Sequence, residues 1–394
     1  MQIKFPKLFF ILLPGILLLC CTHKTKIELP KIYITTEEVI PWEYYLSCEL
    51  AYVTDLDSLN LTGKVKCRGG ISSKYYKHSY SLKLSEPYAL CDLPANKSWI
   101  FNASYIDKTF MRHKICYDLF RMMGDYNIAP ECAYALLREN GKPQGLYIVM
   151  QRLNKHVLQL NTMDTNAVIF KEPKIFYSDS LYAFNQPNLI NYHEQTYPDF
   201  DKGEDYSAIM DSFKSFLTNS SDEEFQAHIE EWVDLHNIID WQLLLLFTNN
   251  SDGVLKNFYF YKQDTNTPFR VALWDCDHSF GRDGDNEQNM LERPVNYKRN
   301  MLFNRLMEMP GYLNALSDRY KQLRDSQIFS LKNIERMVQE NDAYVKSGLI
   351  ENERLWPCNG EYYFDDNNYE QEKALLLEFV PLSLRQLDEY FGYR

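Results

Sequence analysis

The sequence predicts an α+β fold in two lobes, the first rich in β-strands and the second mainly helical. Three observations carry that expectation. Period-two alternation runs through residues 41–173, helical spacing runs through residues 204–394, and one hairpin interrupts the helical part at residues 257–275.

Residues 1–20 read as a targeting segment. Lys4 and Lys7 precede an apolar run, Leu8 to Leu19, that is too short for a comfortable membrane span. The run ends "LLLCCTHKTK", which resembles a bacterial lipobox and places lipidation at Cys21. A plain signal peptide cut elsewhere is the alternative. The first reading expects an exported chain, lipid-anchored to the bacterial cell-envelope membrane and facing the periplasm or the surface. Residues 21–40, charged and Thr-rich without sustained periodicity, read as a tether.

In the β-rich lobe, "HSYSLKLSE" puts Ser79, Ser81 and Lys83 on one face and Tyr80, Leu82 and Leu84 on the other. "YALLRENGKPQGLYIVMQ" reads as a hairpin turning at Asn140-Gly141. Between them, "DKTFMRHKICYDLFRMMG" reads as a helix that Asp107 can cap and Gly124 can end. Residues 174–203, rich in Tyr, Asn, Asp and Pro, read as an insertion or inter-lobe segment. Beyond them, "SAIMDSFKSFLTN" and "DEEFQAHIEEWVDLHNIIDWQLLLLFTN" have helical spacing, and so do the stretches after residue 303.

Composition excludes some functions. A net charge of −12 without a basic stripe argues against a nucleic-acid partner. The nine cysteines contain no C-x-x-C pair, so neither a zinc site nor a dense disulfide framework is signalled.

The chemistry concentrates in "DGVLKNFYFYKQDTNTPFRVALWDCDHSFG", residues 252–281. With a turn centred on Asn266, paired residue numbers sum to 532, which sets Asn257 opposite Asp275. Their Cβ atoms are then roughly 5 Å apart. Asp277 keeps the same face, and Asp252 enters from the end of the long apolar helix. Oxygens gathered in this way suit Mg²⁺ or Mn²⁺, which keep waters and phosphate oxygens in their shells. The five-residue step from Asp252 to Asn257 also matches the Asp-x-x-x-x-Asn of the kinase catalytic loop. Bland roles exist for each residue alone: Asp252 in "NNSDG" suits a turn, and Asp275 and Asp277 suit a strand end.

These residues sit among blocks that resemble the spore coat protein H (CotH) family. "RGGISSKYYKHSYSLKL", "SYIDKTFMRHKICYDLFRMMG", "GKPQGLYIVMQRLNK" and "NNSDGVLKNFYFYK…VALWDCDHSFG" carry the resemblance, from about Gly63 to Gly281. It implies an atypical protein-kinase-like fold that uses ATP and a divalent metal to phosphorylate exported or surface proteins, mostly on Ser or Thr. Asp252 then becomes the catalytic residue, with Asn257, Asp275 and Asp277 as metal ligands. Lys83 is the choice for contacting the nucleotide phosphates, with Arg68 next and Lys74 and Lys77 behind.

The chain also departs from the pattern. Gly70 stands where the family has Asn, no His-Arg precedes Asp252, and no G-x-G-x-x-G loop is present. The 107–123 helix lacks Glu, so Arg112 is assigned to the nucleotide or the catalytic segment, with an inter-lobe ion pair as the alternative. Two rival functions remain. Asp275-Cys276-Asp277 is also the Asp-x-Asp of metal-dependent glycosyltransferases, which expects a doubly wound α/β domain before it. A non-catalytic surface scaffold is the other.

Overall fold

The computed structural model describes residues 27–178, 190–282 and 295–394. The targeting segment and Cys21 lie outside them. The first part is a closed barrel of β1 (Lys31–Thr35), β2 (Leu46–Val53), β3 (Ser58–Arg68), β4 (Ser79–Tyr88), β5 (Asn96–Asn102), β6 (Cys132–Glu139) and β7 (Lys142–Gln151), in the order β1-β2-β3-β4-β5-β7-β6. All neighbours are antiparallel except β1 and β6, whose parallel pairing closes the ring. The stretch read as a tether therefore supplies a strand. "KIYIT" is too short to announce itself, yet Ile32 and Ile34 are buried in the barrel core.

The alternation in β4 is as read: Tyr80, Leu82 and Leu84 fill the barrel, while Lys83 is exposed on the other face. Asn140 and Gly141 both take positive φ, +48° and +78°, and make the two-residue turn between β6 and β7. The helix α1 (Arg112–Met123) starts later than Asp107, but the Asp107 carboxylate still accepts the Arg112 N–H at 3.0 Å.

A second sheet, ordered β11-β10-β8-β9, holds β8 (Val168–Lys171), β9 (Gln195–Tyr197), β10 (Phe258–Lys262) and β11 (Arg270–Leu273). Part of the segment read as an insertion is thus the edge strand β9, and β8 belongs with the β10–β11 hairpin rather than with the barrel. Around this sheet lie α2 (Ser207–Asn219), α3 (Asp222–Trp232), α4 (Leu235–Thr248), α5 (Met301–Glu308), α6 (Tyr312–Asp325), α7 (Leu331–Leu355) and α8 (Tyr369–Phe391). The pattern read through residues 222–249 is broken in two. Val233 is extended beside Phe269, and the Asp234 side chain caps α4 by accepting from the His236 and Asn237 N–H groups.

One core runs through α1, the outer faces of β6 and β7, the second sheet and the helices; the barrel interior is a separate core. The helix α7 lies against β7, and Lys77 fastens it there. The Lys77 ammonium donates to Ala103 O and Asn352 Oδ1, both at 2.8 Å, and to Leu146 O. Gly145 permits this approach, because at its φ of +83° a Cβ would meet Asn352 Oδ1 at 2.8 Å. The doubly wound domain that a sugar-nucleotide reading requires is not what precedes the Asp-x-Asp; the barrel stands there. The seven described cysteines are free thiols, and no described helix is long and apolar enough to cross a membrane.

Candidate active site

A cleft of about 880 Å³ opens between the barrel and the second sheet. Arg68 and Lys83 line it from β3 and β4, and Asp252, Asn257, Asp275 and Asp277 line it from the sheet side. All four sequence-predicted acidic and amide groups therefore meet in one cavity, but not by the pairing that the sequence suggested.

The hairpin register is one residue off that expectation. Phe258 pairs with Leu273 and Tyr261 with Arg270, so partners sum to 531, and Asn257 faces Trp274, whose N–H donates to Asn257 O at 3.1 Å. The side chains of Asn257 and Asp275 reach the same cleft because both residues leave the ladder in the left-handed region, at φ +64° and +52°. Asn and Asp are the non-glycine residues that tolerate this conformation best, which lets the chain turn off the ladder at both ends of the hairpin.

Asp252 stands in a single 3-10 turn, Asp252–Val254, just after α4. Asn249 ends the helix in the left-handed conformation, and Asn250 Oδ1 accepts the Gly253 N–H at 2.9 Å. A Cβ at Gly253 would meet Leu245 Cδ2 at 2.5 Å, so a larger residue there would have to move that side chain. The Asp252 carboxylate accepts from Asn257 Nδ2 at 2.8 Å and pairs with Lys256 Nζ at 2.8 Å. That bond engages the Asn257 amide nitrogen and sets the orientation of the amide.

The most consequential neighbour was not foreseen. His113, on the first turn of α1, brings Nε2 to 2.8 Å from Asp275 Oδ1 and is fully buried. Burial opposes its protonation, but the bond to Asp275 and the charges of Asp277 and Asp275 outweigh it and lift its pKa to about 9. Burial likewise works against the Asp275 carboxylate, yet the His113 bond and charge hold its pKa well below the usual carboxylate range. Asp277 goes the other way, lifted to about 6 by desolvation and by the negative charge of Asp275. Two neighbouring carboxyls whose pKa values are pushed apart mark a candidate site for cation binding or proton handling. Ligand atoms of His113, Asp275 and Asp277 lie within 4.8 Å of one another. The sequence carries no local signal for His113, whose partner is 162 residues away.

The cationic side is partly as expected. Lys83 is flanked by Tyr45, with Nζ 4.4 Å from the ring centroid, and its pKa is lowered by burial and by repulsion from Arg152, Lys66 and Lys64. Arg68 lies over the Trp274 ring at 5.3 Å and adds to the charges that hold Asp275 low. A cluster of like charges facing a cleft suits an anion such as a polyphosphate. A larger cavity of about 1090 Å³ adjoins it and shares Lys83, Arg152 and Tyr259. Lys77 is spent on three carbonyl oxygens, and Lys74 lies over the Tyr362 ring at 4.9 Å.

Arg112 reaches the segment after Asp277 and takes the ion-pair alternative rather than the cleft. Its guanidinium is fully buried, pairs with Asp107 at 2.6 Å and Glu372 at 3.3 Å, and donates from Nε to Ser279 O at 2.9 Å. It does not line the cleft; it is the ion-pair alternative, and it clamps the segment that follows Asp277.

The inner spore coat protein H of Bacillus subtilis (strain 168) is 24% identical over 331 residues, spanning 82% of this chain and 86% of the relative. The pattern of the family described as CotH kinase protein matches residues 65–385, from the third barrel strand to the last helix, and takes in every residue of the cleft's acidic face. Matched over most of its length, the chain belongs to the CotH kinase protein family.

Proposed function

We propose that this chain is a metal- and ATP-dependent phosphotransferase with a kinase-like two-lobed fold, acting on Ser or Thr hydroxyls of exported or surface proteins. One observation carries the reading: Asp252, Asn257, Asp275 and Asp277 converge on one cleft whose opposite wall bears Arg68 and Lys83. The donor set fits a hard divalent cation, with carboxylate and amide oxygens on one side and room for phosphate and water. Asn257, Asp275 and Asp277 would hold Mg²⁺ or Mn²⁺. When bound, the cation neutralises phosphate charge as it develops in the transition state.

The chain's own residues do the rest. Arg68 and Lys83 draw the phosphates to the barrel wall. Asp252, oriented by Asn257 Nδ2, receives the proton of the acceptor hydroxyl as that oxygen bonds to the terminal phosphorus and the nucleoside diphosphate leaves. Export and lipidation at Cys21 belong to the same proposal, because they would put this site where such acceptors are.

The test is ATP binding by the purified chain with Mg²⁺ or Mn²⁺, followed by thermal shift, together with phosphate transfer from labelled ATP. Asp252→Asn is expected to keep metal-dependent nucleotide binding and the wild-type melting temperature while losing at least about 10²-fold in transfer. Wild-type protein that shows neither nucleotide binding nor transfer overturns the enzyme.

A further inference from the structure

We propose that His113 is a nitrogen ligand of the cation site and biases it toward a transition-metal ion such as Mn²⁺ over Mg²⁺. This rests on reading the cleft as a cation site, and it adds the ion's chemical class.

Geometry carries it. Two ligand atoms on adjacent corners of an octahedron, each about 2.1 Å from the ion, lie about 3 Å apart. His113 Nε2 and Asp275 Oδ1 are 2.8 Å apart, already close to a coordination edge. Asp277 completes a group whose ligand atoms all fall within 4.8 Å, which covers both adjacent and opposite corners of the same octahedron.

The imidazole is also placed to present a lone pair. It comes from the rigid first turn of α1, it is buried, and Nδ1 has no partner among the described residues. Nε2 faces Asp275 Oδ1, which holds its proton, and a cation bound between them takes the place of that proton. Tyr117, one helical turn on, stands edge-on to the ring and accepts the Asp275 N–H at 2.8 Å through its hydroxyl. One helix therefore positions both the nitrogen donor and the backbone of its carboxylate partner.

Ligand chemistry sets the preference. Mg²⁺ takes oxygen ligands and gives up its waters reluctantly, whereas imidazole nitrogen suits transition metals. A purely oxygen site would accept Mg²⁺ on equal terms; one nitrogen among the ligands tilts it.

The experiment uses the full chain treated with chelator and then loaded with Mn²⁺, without nucleotide. Pulsed electron paramagnetic resonance of the Mn²⁺ form is expected to show coupling to a nitrogen nucleus, lost in His113→Gln. Calorimetric titration is expected to show tighter binding of Mn²⁺ than of Mg²⁺. His113→Gln should weaken Mn²⁺ binding about tenfold and Mg²⁺ binding less, so that the preference for Mn²⁺ shrinks. The spectrum of the wild-type protein decides the matter even if the variant misfolds. Mn²⁺ bound without nitrogen coupling overturns this inference and leaves the proposed phosphotransferase standing. A chain that binds neither Mn²⁺ nor Mg²⁺ overturns the cation site itself and the inference with it.

Discussion

Lys83 shows how a single residue can carry the cost of a ligand that has not yet bound. It sits among Arg152, Lys66 and Lys64, and their repulsion adds to its burial in lowering its pKa. Lys83→Met should therefore weaken nucleotide affinity about tenfold without lowering the melting temperature, read by nucleotide titration and thermal unfolding of the same sample. A variant that melts far below the wild type would make Lys83 a packing residue instead. Lys83 was legible because strand alternation alone puts it on the polar face of β4. Asp252 and Asn257 were legible from their spacing. His113 was not, since its partner Asp275 lies 162 residues away and no local pattern joins them. For Arg112 the sequence left the nucleotide, the catalytic segment and an ion pair open, because its charge is visible there and its burial is not.

At the scale of elements, the hairpin and α1 teach opposite lessons. The strands β10 and β11 were foreseen, but their register depended on a turn whose exact closure the sequence leaves open. A slip of one residue exchanges the faces of a strand, yet the site survives because Asn257 and Asp275 both leave the ladder in the left-handed conformation. The helix α1 is held by buried charge. Asp107 and Arg112 form a network with Glu372, Arg282 and Asp365 that joins α1, the segment after Asp277 and α8. Asp107→Asn leaves Arg112 short of a partner and should cost about 3–5 kcal/mol in urea unfolding. Its pH dependence has a definite sign. Burial pushes the Asp107 carboxyl up, but Arg112 and the Thr109 hydroxyl outweigh it and hold its pKa below the ordinary 3.8. The folded pKa is depressed, so the contribution of Asp107 is present above pH 3.8 and fades only as pH falls through the lower, folded value. The stability gap between wild type and Asp107→Asn should be full at neutral pH and shrink only in acid. A gap that closes while pH is still above 3.8 would remove Asp107 from the network.

For the molecule as a whole, the question is whether the barrel and the helical part behave as one. The main core crosses between them through α1 and the outer faces of β6 and β7, and Lys77 ties the barrel side to Asn352 on α7. Unfolding should therefore follow a single transition by both far- and near-ultraviolet circular dichroism. Asn352→Leu, which leaves one Lys77 N–H without an acceptor, should lower stability by about 1–3 kcal/mol. Two separated transitions would show the parts to be independent. What the sequence determined by itself was local: the α+β class, the strand faces, the Asn140-Gly141 turn, the helical character of the second part and the set of acidic groups on one hairpin. These follow from periods of 2 and 3.6 residues and from turn chemistry, which act over a few neighbours. What only the tertiary structure decided was everything that depends on burial and on distant partners. The strand hidden in the tether, the division between barrel and second sheet, the internal role of Arg112 and the meeting of His113 with Asp275 are of this kind. A buried ion pair or a ligand edge is an agreement between residues far apart in the chain, and only packing brings them to 3 Å.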